Sequence, residues 1–178
     1  MNVTLIFATQ ASLSLLSFGL IARWVLYPRL RDRVLRDALT PLLLVETLRT
    51  IGLIGLVPGL VDAALPAAFS MPEAAGDMLA VVLAFAALVA VRANWRIASA
   101  LVWLFTVEGL ADFINATVQG LRLNVPAHLG LAWLLPTYGV PAFTVVQLMV
   151  IALLLRRDRQ RDGEQAVEVP ARLTTSIS

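Results

Sequence analysis

The sequence predicts an all-α integral membrane protein: a five-span transmembrane helix bundle with its N-terminus outside and its C-terminus in the cytoplasm. Three observations carry that reading. First, 59% of the residues are hydrophobic and only 15% are charged, against about 25% charged in a soluble domain. With a mean hydropathy of +0.82, the chain lacks the polar surface to cover itself in water. Second, five stretches approach or exceed the ~20 mostly apolar residues that cross a bilayer as a helix. Third, the arginines gather at one set of span ends.

The spans are expected at Val3–Tyr27, Ala38–Val61, Ala74–Val91, Ile97–Gly120 and Leu131–Leu155. Together they form one transmembrane domain over 1–155. The first has no basic residue before its apolar run and several after it, which marks a retained anchor rather than a cleaved signal. Thr40-Pro41 can cap and open the second span. Ser70-Met71-Pro72-Glu73 reads as a capping box ahead of the third. Pro136 and Pro141 should bend or loosen the fifth. The polar segment 156–178 lacks periodicity and is expected to be a disordered cytoplasmic tail.

Orientation follows from arginine. Arg23, Arg29, Arg31, Arg33 and Arg36 follow the first span, Arg92 and Arg96 the third, and Arg156, Arg157, Arg159, Arg161 and Arg172 the fifth. The other side holds only Arg122, so twelve face one, a strong positive-inside asymmetry. A multi-pass protein of the cell membrane, in a bacterium the inner membrane, is the expected localisation. The same clustering explains the high isoelectric point without nucleic acid as a partner.

Composition also closes some functions. There is no cysteine, so thiolate catalysis and thiolate metal ligation are excluded. Every one of the 14 basic residues is arginine, which removes Schiff-base chemistry on lysine. No phosphate-binding loop, zinc-protease motif, nucleophile elbow or dinucleotide fingerprint occurs. No cofactor and no metal site is expected; His128, the only histidine, reads as a solvated loop residue.

Ionisable groups inside a span cost about 2.5–3.5 kcal/mol each and usually face the bundle interior. Away from the span ends, where Arg23 and Asp77 stand, there are four: Glu46, Arg49, Glu108 and Asp112. Glu108, Asp112, Asn115 and Gln119 fall within about 60° on one helix face and cover about 16 Å along it. Glu46 and Arg49, three residues apart, can pair with each other, or Arg49 can reach across to Glu108. Gln10, Ser14 and Ser17 in the first span and Thr137, Pro141 and Thr144 in the fifth repeat the spacing with milder groups. These faces are expected to line a polar cavity, wide outside and closed inside. Gly55 and Gly59 make a GxxxG pattern, and Ala80, Ala84 and Ala87 a small-residue stripe. Both mark close helix contact, within one chain or in a homo-oligomer.

The reading that follows is binding or conduction of a proton, a cation or a small polar molecule. Glu108 and Asp112 would supply charge, Asn115, Gln119, Gln10 and Thr137 hydrogen bonds, and Glu46 and Arg49 a counter-charged pair. The alternatives are a membrane-embedded enzyme acting on a lipid or isoprenoid by carboxylate acid–base chemistry, and a structural or accessory subunit. No catalytic residue is assigned, and the balance leans away from an enzyme.

Overall fold

The computed structural model describes the backbone of residues 2–175 and the side chains of residues 2–157. Among these the protein is helical, without strands. Five helices are long and apolar enough to cross a membrane: α1 Val3–Leu30, α2 Leu35–Leu56, α3 Ala67–Arg92, α4 Ala98–Arg122 and α5 Gly130–Arg157. They alternate in direction. One end of the bundle carries Arg36, Arg92 and Arg156 (the arginine end), and the other carries the α2–α3 and α4–α5 connections (the loop end).

Local chemistry sets the ends. Asn2 caps α1 by accepting from the backbone N–H groups of Thr4 and Leu5. α3 stops at a left-handed residue, Asn94, with the Trp95 N–H returning to the Ala90 carbonyl and the Asn94 N–H to Val91. That is the Schellman closure, and asparagine tolerates it better than other side chains. Asn124, also left-handed, follows α4.

Two expected starts differ. α2 begins at Leu35 and carries Pro41 inside it. α3 begins at Ala67, seven residues before the expected start, with Pro66 as its N-cap and Pro72 within it. Both prolines sit within the first two turns, where the helix tolerates them better than in its middle. The consequence is large, since Glu73 becomes a helical residue and Asp77 lies ten residues into the helix instead of three. α5 is loosened as its prolines suggest: a 3-10 turn over Gly130–Trp133, a π turn over Leu135–Gly139, then α-helix over Val140–Thr175. Its backbone is helical as far as Thr175, within the segment 156–178 expected to be a tail. The side chains of that segment beyond Arg157 lie outside the described residues.

α3 is the central element, packed mainly on α2 and α4; α1 packs mainly on α5 and stands off the other helices. The arginine half is a closed apolar core built from Leu39, Leu43, Ala84, Ala87, Val102, Phe105, Val150 and Leu154. Ala80, Ala84 and Ala87 are fully buried, so this stripe serves packing within the chain. The GxxxG pattern does not form one helix face. α2 ends at Leu56, and Gly59 lies beyond it with φ of +85°.

Candidate functional site

The second half of α2, Thr47–Leu56, is a 3-10 helix of ten residues, long for a form that seldom exceeds three or four. At three residues per turn, side chains at i and i+3 eclipse. Glu46, Arg49, Gly52 and Gly55 therefore form one straight row on the side turned into the bundle. α3 presents Glu73, Asp77, Ala80, Ala84 and Ala87 at spacings of four, three, four and three, again one face. Asp77 and Asp112 each lie ten residues from the loop-end terminus of their helix, about 15 Å along the axis. Arg49, seven residues from the end of the steeper 3-10 segment, lies at about 14 Å. Three helices thus deliver charge to one depth.

At that depth Arg49 is only 1% exposed. Its Nε donates to Asp77 Oδ1 at 2.9 Å, and its Nη2 lies 2.8 Å from the same oxygen. Nη2 also donates to Asp112 Oδ2. The guanidinium carbon stands 4.1 Å from the centre of the Phe113 ring, close enough for a cation–π contact. Glycines make the room. A Cβ on Gly52 would overlap the Asp77 carboxylate, one on Gly76 the Asp112 carboxylate, and one on Gly109 both the Gln147 amide and Arg49 Nη1. Three glycines on three helices accommodate these polar groups.

Around this ion triad lie polar atoms with no partner. Glu46 is 0% exposed and neither carboxylate oxygen accepts a hydrogen bond. Gln147 is 0% exposed, with both amide atoms unpaired. Arg49 Nη1 and Glu108 Oε2 are also buried and unpartnered. Buried polar groups are normally satisfied, and each exception calls for an explanation. Five carboxyls (Glu46, Glu73, Asp77, Glu108 and Asp112) interact electrostatically around one guanidinium.

The residues singled out in the sequence divide. Arg49, Asp112, Glu46 and Glu108 converge here, but Arg49 pairs with neither Glu46 nor Glu108. The eclipsed 3-10 row stacks Glu46 behind Arg49, whose head reaches toward α3 and α4 instead. The acidic face of α4 is a flank of that helix. Its buried face runs through Val102, Phe105, Gly109 and Phe113, leaving Asn115 exposed and Gln119 half-buried. Gln10 lies elsewhere, accepting from Trp133 Nε1 at 2.8 Å and donating to the Tyr138 hydroxyl at 3.1 Å. The Thr137 hydroxyl donates to its own helix, at the Trp133 carbonyl, 2.7 Å away. Sequence reasoning missed Asp77 and Gln147. The signal for Asp77 was present, because it continues the alanine stripe of α3 at the same spacing. Gln147 stands three residues after Thr144 and extends the polar face of α5 by one turn.

On the loop-end side of the triad the helices enclose a cavity of about 320 Å³, within the size range of ligand pockets. Its walls are mostly apolar, with Phe7, Leu15, Phe69, Leu121, Leu129 and Pro141 among them, and Glu73 is the only ionisable group lining it among the described residues. The expected polar cavity is therefore mostly apolar. The α4 flank residues do not line it, and the Thr117 and Thr144 hydroxyls there bond to their own helices. Its loop end is covered. Leu60 O accepts from Leu131 and Ala132, and the Asp62 N–H donates to His128 O. Gly130, at φ +52°, permits this approach, since a Cβ there would stand 2.9 Å from the Leu60 carbonyl oxygen.

A family model described as a domain of unknown function (DUF8737) matches residues 6–155, and the chain belongs to that family. No curated protein and no solved structure matches it.

Proposed function

We propose that this member of the family is a five-span integral membrane protein of the cell membrane, N-terminus outside and C-terminus cytoplasmic, that binds and conducts a proton or small cation through the Arg49-centred cluster. Insertion is supported by the apolar side chains on the outside of every helix, among them Leu16, Leu48, Val82, Ile114 and Leu148. In water such a surface would aggregate; in lipid it is solvated. The orientation rests on the arginine asymmetry.

The observation that carries the conduction reading is Glu46, a fully buried carboxyl without a hydrogen bond beside a guanidinium already engaged by two other carboxylates. Arg49 neutralises at most one of its two partners' charges, so the cluster holds an excess of acidic sites for exchangeable positive charge. Glu46 and Glu108, without fixed partners on their buried oxygens, are the exchanging groups. Gln147 can both donate and accept, which suits a relay beside them.

The test is flux in proteoliposomes under an imposed membrane potential, with an internal pH dye in one arm and an internal sodium-sensitive dye in the other. Wild type should move protons, or sodium in the second arm, well above protein-free vesicles. Combined Glu46→Gln and Glu108→Gln should lower that flux by about tenfold or more, the size of a lost acid–base relay. Wild-type flux at the vesicle background, or a double variant as active as wild type, would discard the proposal.

A further inference from the structure

We infer that the loop-end cavity is a binding site for an amphiphilic amine, a hydrocarbon body with a primary ammonium head that pairs with Glu73. The inference goes beyond the conduction reading and does not depend on it. Apolar residues from α1, α3, α4 and α5, such as Phe7, Leu15, Phe69, Leu121 and Val140, together with Gly52 and Gly55 of α2, offer the hydrocarbon body a surface without hydrogen-bonding demands. Polar side chains on the wall are few. Two of them, Thr117 and Thr144, already donate to their own helix carbonyls.

Glu73 differs from every other lining group. It is half-buried, sits two turns into α3, and makes no side-chain hydrogen bond or ion pair among the described residues. Behind it lie Asp77 and Asp112, with a single guanidinium between them. Acidic groups therefore outnumber cationic ones at this end of the cavity, which favours a cationic head over a carboxylate or phosphate. Among the described residues no lining side chain carries positive charge. A primary ammonium has three donors in a compact head, so one can pair with Glu73 while another reaches the hydroxyl of Ser70, on the same helix and also on the wall.

The fold also offers an entry. The connections at the loop end are hydrogen-bonded over the cavity, while α1 packs mainly on α5 and only sparsely on α2, α3 and α4. An amphiphile dissolved in the bilayer can enter past α1 without crossing water.

The experiment uses the full chain in lipid nanodiscs and decyl probes bearing a terminal diazirine, one each with an ammonium, a carboxylate and a hydroxyl head. Light-induced adducts are mapped by mass spectrometry. The ammonium probe should label cavity residues such as Phe7, Leu121 and Leu129 about tenfold more than either other probe, a preference of the size one ion pair in a partly dry site supplies. Glu73→Gln should abolish that preference. Ala116→Leu, which fills the cavity without touching charge, should reduce labelling by all three probes. Gly55→Leu provides a second filling variant, because a Cβ there has no neighbour within 4 Å. Equal labelling by the three heads in wild type, or a preference that survives Glu73→Gln, overturns the inference. Loss of the head preference with ion flux intact would sink this site alone. Loss of flux with the preference intact would sink only the conduction reading.

Discussion

Two polar centres hold this bundle together, and they are built on opposite principles. At the α1–α5 contact, Gln10 spends its amide oxygen on Trp133 and its amide nitrogen on Tyr138, with Phe7 standing edge-on to Trp133 at 5.5 Å. Both of its functional atoms are used, and the groups are neutral. At the α2–α3–α4 centre, one guanidinium serves two carboxylates while Glu46, Gln147 and one oxygen of Glu108 go without. The first arrangement is what interhelical adhesion looks like when packing is the only demand. The second carries more charge and more unpaired polar atoms than adhesion needs, and glycines on three helices make room for it. The difference teaches where to look for function: not at polarity in a span, but at polarity in a span left unsatisfied.

Removing Arg49 should break the comparison most violently. Arg49→Leu leaves two buried carboxylates uncompensated, and losing one side of a buried pair costs about 3–5 kcal/mol. Unfolding of the purified protein in mixed micelles should show that loss, and adding Asp77→Asn with Asp112→Asn should restore most of it. A single variant as stable as wild type would mean the triad is not electrostatically coupled.

A smaller effect separates glycines that make room from glycines that do not. Gly109→Ala forces a methyl group into the Gln147 amide and Arg49 Nη1, an overpacking of about 1–3 kcal/mol. Gly19→Ala in α1 meets nothing within 4 Å and should be neutral or slightly stabilising, since alanine is the better helix former by up to about 1 kcal/mol. The same unfolding assay compares them, and equal losses at both sites would remove the packing argument.

The least effect is expected at the satisfied centre. Gln10→Leu deletes two interhelical hydrogen bonds, worth about 0.6 kcal/mol each in a membrane, and should leave ion flux unchanged. A large fall in flux from this variant would show that the two centres are not separate in function.

Much of this was legible in the residues themselves. Glu46, Arg49, Glu108 and Asp112 stood out because charge within an apolar run is costly wherever the helix turns it. Asp77 did not, because Pro72 and the acidic Glu73 resembled a helix start and so placed Asp77 too near the end. The 3-10 form of Thr47–Leu56 was equally hidden. Its row of Glu46, Arg49, Gly52 and Gly55 has a period of three, which is visible only once the helix is known to wind that tightly.

By itself the sequence determined five apolar helices, the side on which arginine collects, and the presence of charge at the middle of α2 and α4. Those properties depend on composition and on spacing along one chain. Only the tertiary structure decided which carboxylates Arg49 holds, which polar atoms are left without partners, and that the neighbouring cavity is apolar with one acid on its wall. Those depend on how helices rotate and approach one another, and that is set by small residues such as Gly52, Gly76 and Gly109 facing partners distant in sequence.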